Sequence, residues 1–251
     1  MKSLFYGILC VLPLVSAAHG QDTKAAAAPT KTVDGSAVVL PKPATDLQPG
    51  TYHCAVKLAM GGRTVDLKIT TAITDGGPSW TALNTMETPQ GSAADSASIA
   101  KSTQTLEKRS LKQGPIDIKI CFAGNKASGK MSMSGQDQAI AVDLGGPIFA
   151  NAAGGNQVIA TLPLAMGYTR TFRNFDVQTQ KLKMMQLTVP SVETVTVPAG
   201  TFEAWRVELA ATDGSADKKT LCVAKDSRKV VKGAAVIAAT GGASFDQQLT
   251  E

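Results

Sequence analysis

The stretch Val192–Leu209, VETVTVPAGTFEAWRVEL, contains two short runs in which apolar and polar residues alternate. The apolar positions are Val195 and Val197 in the first run and Trp205, Val207 and Leu209 in the second. Alternation with a period of two among β-branched and aromatic residues is typical of strands that bury one face. Between the runs, Pro198 fixes φ at the first turn position and Gly200 can adopt a positive φ. The stretch therefore predicts a β-hairpin.

A similar pattern of short strands and turns extends through most of the chain. Residues 116–120 are the clearest further case, because three isoleucines alternate there with Asp117 and Lys119. The spacing of such segments predicts about ten short antiparallel strands, the last of them an edge strand at residues 244–249. A flat sheet of that width is unusual, so we expect the sheet to curl.

Two stretches do not follow the strand pattern. Residues 88–104 are rich in serine, alanine and threonine, and we interpret them as a surface loop or a surface helix. Residues 147–164 begin after two glycines at Pro147 and include Pro163, which is typical of one or two short helices. The predicted fold is therefore mainly β: a curled antiparallel sheet capped by one or two short helices near 147–164.

The first residues have the features of an export signal. Lys2 precedes an apolar segment, Leu4–Val15, and small residues at Ala18-His19-Gly20 are suited to signal peptidase. The apolar segment is shorter than the roughly 20 residues that span a bilayer, which favours cleavage over an uncleaved anchor. We predict a signal peptide at residues 1–20, an alternative cut after Ser16-Ala17-Ala18, and a location in the periplasm or outside the cell.

The remaining chain divides into a tail and one domain. Residues 21–45 are rich in alanine, proline, threonine and lysine, which predicts a flexible tail. Residues 46–251 form a single predicted antiparallel β domain, and no later segment has the apolar length of a membrane span. The 25 basic and 20 acidic residues are scattered and aromatic residues make up only 5% of the chain, so we do not expect nucleic-acid binding.

Three cysteines remain after signal removal: Cys54, Cys121 and Cys222. Export would allow a disulfide bond, but an odd number leaves at least one thiol unpaired within a monomer. The sequence leaves open whether all three are buried free thiols or whether one bridge forms. They are too widely spaced for a zinc or redox motif, and we predict no metal site and no cofactor.

No catalytic constellation follows from the sequence. His53 is the only histidine of the mature chain, and Cys54 beside it would point to the opposite face of a strand. Ser98 and Lys101 match the S-x-x-K pattern of penicillin-interacting enzymes, but the companion motifs of those enzymes are missing. Glu203 and Glu208 would lie on opposite faces of one strand. We therefore predict a protein that is not an enzyme.

Four segments together resemble a known family. They are TLEKRSLKQ at 105–113, LPLAMGY at Leu162–Tyr168, ETVTVPAGTFEAWRVEL at 193–209 and TLCVAKDSRKVVK at Thr220–Lys232. They resemble a family of exported bacterial domains of unknown function whose fold is similar to the lipoprotein-localisation factors. The resemblance implies a half-open β-barrel with a helical plug and implies no catalytic residues. Members often carry tryptophan where this chain has Cys222.

The function hypothesis is the binding of a lipid or another apolar ligand inside the half-barrel. Candidate apolar residues for its inner face are Met166, Phe172, Trp205 and Val207. The ligand-binding residues stay undetermined, as does any protein partner. Two alternatives remain: an envelope structural or assembly protein that pairs through exposed strand edges, and a secreted hydrolase that would have to use His53.

Overall fold

The computed structural model describes residues 38–88, 91–177, 179–215, 217–237 and 242–251. The predicted signal peptide and most of the predicted tail lie outside these residues. The described part forms one antiparallel sheet of 14 strands with one short helix.

The strands fall into two groups separated by the helix. The first group is β1 (Gly50–Met60), β2 (Arg63–Asp75), β3 (Ser79–Thr88), β4 (Gly91–Ala100), β5 (Leu106–Gln113), β6 (Ile116–Ala123), β7 (Lys126–Met133) and β8 (Gln136–Asp143). The helix is α1 (Gly155–Ala160). The second group is β9 (Thr169–Asp176), β10 (Lys181–Val197), β11 (Gly200–Ala211), β12 (Lys218–Ala224), β13 (Val230–Ile237) and β14 (Ala243–Leu249).

Each group is a meander, and the two meanders join through their first and last strands. Neighbours in sequence pair antiparallel, and β1 pairs with β14 to make one continuous sheet. The edges are β8 and β9, which do not pair with each other. The two arms nevertheless approach each other, because the ring of Phe122 on β6 meets the ring of Phe175 on β9 edge to face at 6.2 Å. The sheet is therefore a curled, half-open barrel, as predicted.

Residues 144–164 occupy the inside of this barrel, and we call this segment the plug. Its fully buried apolar residues are Leu144, Ile148, Phe149, Ala153, Val158, Ile159, Ala160, Leu162 and Leu164. Phe149 pairs with Thr105 beside β5, and its amide donates to the carbonyl of Arg173 on β9 at 3.2 Å. The plug thus connects the two arms where the strands themselves do not meet.

The plug approaches the wall so closely that one position requires glycine. Gly154 has φ of +73°, and a Cβ there would lie 2.7 Å from the Cβ of Ala82 on β3. The predicted helices are reduced to α1, which has only six residues. Close packing against the wall fixes this segment, because a helix of that length has little stability of its own.

Arg228, in the turn between β12 and β13, satisfies the carbonyl groups just after the helix. Its Nη1 donates to the carbonyl of Leu162 at 2.9 Å, and its guanidinium lies 4.5 Å from the ring centre of Trp205 on β11. Trp205 is therefore partly buried under an arginine rather than enclosed in the core. The hairpin at 192–209, through Trp205, and the segment 220–232, through Arg228, therefore meet near the end of the plug.

The hairpin predicted at Val192–Leu209 is confirmed. It consists of the end of β10 and the start of β11, with Val197 opposite Gly200. Gly200 has φ of +136°, and Val195 and Val197 are buried while Thr194 and Thr196 are exposed. Upstream, β10 continues through an irregularity between Thr188 and Ser191, so the first run of the hairpin is the end of one strand of 17 residues.

Several sequence interpretations were wrong. Residues 88–104 contain the strand β4, which is neither loop nor helix: Ala93, Asp95, Ala97 and Ile99 alternate as its buried face. The final strand β14 is not an edge strand, because it lies between β1 and β13. Within the described residues, no helix combines the length and apolarity needed to cross a bilayer.

The turn of the hairpin yields a stability prediction. Gly200→Val is expected to lower the free energy of unfolding by about 1–3 kcal/mol, because a β-branched residue is strained at this positive φ. Steric crowding is not the cause, since a Cβ added at position 200 would contact only the Phe202 ring, at 3.6 Å. Urea denaturation would measure the loss, with Thr194→Val on the exposed side of β10 as control. Equal stability of both variants would contradict the assignment of strain to Gly200.

Candidate ligand-binding cavity

A cavity of about 480 Å³ lies inside the half-barrel, next to the plug. Its boundary includes plug residues 150–152 and 154–157 and inward-facing residues from both arms of the sheet. This volume falls in the range of about 300–1,000 Å³ that is usual for small-molecule sites. The plug therefore fills one part of the barrel and leaves a second part open.

Apolar side chains form much of the cavity wall. Leu221 and Val230 belong to the main core around the plug, whereas Ile69 and Phe245 pack against a second apolar cluster. The buried members of that cluster are Val56, Leu58, Leu67, Met86 and Ala93. The cavity thus adjoins two separate apolar clusters, and an apolar ligand would contact both.

A buried ion pair lies in the wall beside the plug. Arg109 on β5 donates to both carboxylate oxygens of Asp95 on β4, at 3.0 Å each, and the two side chains are only 9% and 4% exposed. Arg109 also donates to the carbonyl of Asn151 at 3.4 Å, and the amide of Ala153 donates to Asp95. Burial raises the pKa of Asp95, while Arg109 opposes the rise. The pair attaches the plug to the wall.

A second charged group lies near the turn between β9 and β10. Lys183 on β10 is 2.6 Å from Asp217 and 3.7 Å from Asp176, and all three side chains are about one-quarter exposed. Burial lowers the pKa of Lys183, but the hydrogen bond and charge of Asp217 outweigh it, so the pKa is raised. The positive charge of Lys183 is thus already balanced within the protein.

Lys219 is different, because nothing in the described part of the chain balances its charge. It lies on β12 opposite Leu209 and Ala235, shares the inner face with Leu221, and lines the cavity. No described residue forms a hydrogen bond or an ion pair with it. Burial lowers the pKa of Lys219 to about 8. The cavity therefore contains one ammonium group without an ion-pair partner among the described residues.

The three cysteines are free thiols in different environments. Cys54 lines the cavity, and burial raises its pKa to about 11. Cys121 is exposed on β6. Cys222 is buried, donates to Glu193 at 3.2 Å, and has a pKa raised to about 12 by burial and that carboxylate. Its strand neighbour Leu221 faces the cavity, so Cys222 faces the other side of the sheet.

The candidate catalytic residues do not come together. His53 lies on β1 beside Thr70 at 3.2 Å, with Glu251 at 3.9 Å. Ser98 donates to Glu107 at 2.8 Å. Lys101 pairs instead with Asp75 at 2.5 Å and lies 4.4 Å from the ring centre of Trp80.

Other predicted positions have structural partners. Glu203 pairs with Lys225 at 3.0 Å, and Glu208 with Arg206 at 2.8 Å. Among the described residues, no group of three or more histidine, cysteine, aspartate or glutamate side chains is arranged to hold a metal ion.

Of the four apolar candidates, none lines the cavity. Phe172 is buried in the main core and meets Phe149 edge to face at 5.4 Å. Val207 is fully buried in that core, and Met166 is 70% exposed. The cavity is bounded instead by residues that the sequence analysis did not single out, above all Lys219, Asp95 and Arg109.

The fold defines a barrel-like class of protein, and residues 54–243 match the family described as "Protein of unknown function (DUF3108)". The match covers most of the chain, so the protein belongs to this family. No curated protein matches the sequence.

Several solved structures have similar folds. A β-barrel-like DUF1849 protein from Brucella abortus matches with a TM-score of 0.49 and 10% identity, over 85% of this chain and 97% of that one. A candidate exported protein with a YmcC-like fold from Bacteroides fragilis matches with a TM-score of 0.32 and 11% identity, over 84% and 98% of the two chains. A candidate lipoprotein from Parabacteroides distasonis matches with a TM-score of 0.30 and 11% identity, over 84% and 98%.

The ion pair beside the plug yields a second stability prediction. Arg109→Met is expected to cost about 3–5 kcal/mol of unfolding free energy, because it leaves the buried carboxylate of Asp95 without its partner. The double variant Asp95→Leu/Arg109→Met should recover part of this loss, since both charges are gone. Urea denaturation of the three proteins checks this. A double variant less stable than Arg109→Met would show that the pair itself supplies the stability.

Lys219 yields a prediction about pH. Its folded pKa of about 8 lies below the ordinary value of 10.5, so the unfolded chain binds the proton more tightly. The protein should therefore gain stability as pH rises from about 8 to 10.5. Lys219→Met should be more stable than the wild type at pH 7, by about 1–3 kcal/mol, and this advantage should vanish near pH 10.5.

The control for this measurement is Lys112→Met, an exposed lysine on β5 that does not line the cavity. Denaturant titrations of the three proteins at pH 7, 8.5 and 10 provide the comparison. An advantage of Lys219→Met that is the same at every pH would mean that the Lys219 ammonium is not desolvated.

Proposed function

We propose that this protein is an exported, non-enzymatic binding protein that holds a lipid or another apolar ligand in its half-barrel. The observation that carries the proposal is the cavity of about 480 Å³ beside the plug, whose walls join two apolar clusters. A protein interior is normally packed with few voids larger than a water molecule. This space is open to solvent on one side and lined by side chains from both arms, and its volume is suited to a small ligand.

Export is supported by the sequence of the first residues. Lys2, the short apolar segment and the small residues before Gln21 have the order of a signal peptide. An exported carrier of apolar molecules would shield them from water in the periplasm or outside the cell.

An envelope-assembly role is the alternative, and it is supported by the two free edges of the sheet. β8 and β9 each have a strand partner on one side only. A partner protein could add a strand to either edge. The turn before β10 covers part of one edge, since Gln180 donates to the carbonyl of Ala139 at 3.3 Å. Cross-linking in cells that captures a partner along β8 or β9 would favour this alternative.

Binding of neutral apolar molecules tests the proposed function. The neutral fluorescent probe N-phenyl-1-naphthylamine should bind saturably and be displaced by dodecanol. Ala235→Trp, whose site is on the inner face opposite Lys219, should fill the cavity and weaken binding about tenfold or more. The control Ala141→Trp, at an exposed position on β8, should bind as the wild type does.

Protection of the cysteines provides a second measurement without substitutions. Dodecanol should slow the alkylation of Cys54, which lines the cavity, and leave Cys121 unaffected, because Cys121 is exposed elsewhere. Mass spectrometry of the labelled protein would give both rates. Absence of saturable probe binding, together with unchanged alkylation of Cys54, would overturn the proposed function. Lipid mass spectrometry of an organic extract from the purified protein would identify a natural ligand.

A further inference from the structure

Most charged residues that line the cavity are in ion pairs, and the one enclosed exception indicates the chemistry of the ligand. Among the charged residues of the lining, Arg109 is paired with Asp95, and Lys183 with Asp176 and Asp217. The remaining charged residues are Lys218, which is exposed, and Lys219, which is mostly enclosed. Lys219 is therefore the enclosed charged residue of the described lining that has no ion-pair partner.

A lone ammonium group in such a place is unfavourable for the empty protein. Removing a charge from water costs free energy unless an opposite charge or hydrogen-bond acceptors replace the water. The neighbours of Lys219 across β11 and β13 are Leu209 and Ala235, and neither side chain can accept a hydrogen bond. Cys54, a further titratable group of the lining, is held neutral by its raised pKa of about 11. Asp217, two residues before Lys219, is paired with Lys183 at 2.6 Å, so no described carboxylate forms an ion pair with Lys219.

We propose that Lys219 is the receptor for a single anionic head group, and that the ligand is a single-chain amphiphile with an acyl chain and one carboxylate. This inference rests on the proposed function, because the acyl chain would occupy the apolar cavity. The carboxylate accepts hydrogen bonds from the Lys219 ammonium, while the chain contacts Leu221, Ile69 and Phe245. One ammonium group without an ion-pair partner suits one anionic head group, and a cavity of about 480 Å³ suits a ligand of modest size.

The position of Lys219 also orients the ligand. Lys219 lies near the start of β12, close in sequence to Asp217, which marks the charged group at the β9–β10 turn. Leu221, two residues further along the same face, lines the cavity together with apolar residues such as Val230. The head group would thus lie at Lys219 and the chain would extend along the inner face toward the plug.

The experiment compares two ligands that differ only in the head group. Dodecanoate and dodecanol, both below their aggregation limits, are titrated by displacement of N-phenyl-1-naphthylamine at pH 7. Lys219→Met, which retains the apolar stem, should weaken dodecanoate about 10- to 100-fold, the worth of one hydrogen bond to a charged group. Its affinity for dodecanol should stay within about twofold of the wild-type value.

Two control variants distinguish an effect of the positive charge at position 219 from an effect of the overall charge of the protein. Lys112→Met removes an exposed lysine on β5 outside the cavity and should leave both affinities unchanged. Lys219→Arg keeps the positive charge and should retain the preference for dodecanoate. Dodecyl phosphate serves as a further arm: binding tighter than that of dodecanoate in the wild type and lost in Lys219→Met would assign a phosphate head group and overturn the carboxylate.

The wild-type affinity for dodecanoate should also fall as pH rises from 7 to 10, because Lys219 loses its proton there. The affinity for dodecanol and both affinities of Lys219→Met should stay level across this range. If dodecanol binds but Lys219→Met has the same ratio of the two affinities as the wild type, the role of Lys219 is overturned and the proposed function stands. If neither ligand binds, the proposed function itself is wrong.

Discussion

The packing of the plug between the two arms of the sheet is the contact on which the rest of the structure depends. A sheet of 14 strands with two free edges has an apolar inner face that must be covered. The plug covers part of it with aliphatic residues and joins β5 to β9 through the backbone of Phe149. Two polar contacts fix the plug: the buried Asp95–Arg109 pair at residues 151–153 in its middle, and the partly buried Arg228 at Leu162 near its end.

The same packing explains which parts of the fold could be predicted from the sequence. The hairpin at Val192–Leu209 was recognisable because valine and tryptophan carry the alternation themselves. The strand β4 was missed because its inner face is made of Ala93, Asp95 and Ala97. Small side chains are needed on the walls nearest the plug, as the contact between Gly154 and Ala82 on β3 shows. Alanine and serine have little β propensity, so the period of two was easily overlooked.

The continuity of the long strand β10 also does not follow from the local sequence pattern. Pro190 suggests a strand end because it has no amide hydrogen to donate, yet the strand continues through the irregularity between Thr188 and Ser191. The position of β14 could not follow from local pattern at all, since its pairing with β1 joins the two ends of the domain.

The cavity residues were only partly accessible to sequence reasoning. The alternation of Lys219, Leu221 and Val223 along β12 placed the lysine on the buried face, and this signal was present in the sequence. The Asp95–Arg109 pair was not predictable without β4, because the two residues meet only across the β4–β5 ladder. On our account, these charged groups have different roles. The Asp95–Arg109 pair holds the plug, Lys183 pairs with Asp176 and Asp217 near the β9–β10 turn, and Lys219 binds the ligand.

A crystal structure of the protein with dodecanoate tests this account most directly. The account predicts density for the chain in the cavity beside the plug, with the carboxylate about 2.7–2.9 Å from the Nζ of Lys219. Density for the ligand only on the outer face of the sheet, or a cavity closed by rearranged side chains with the ligand absent, would contradict it.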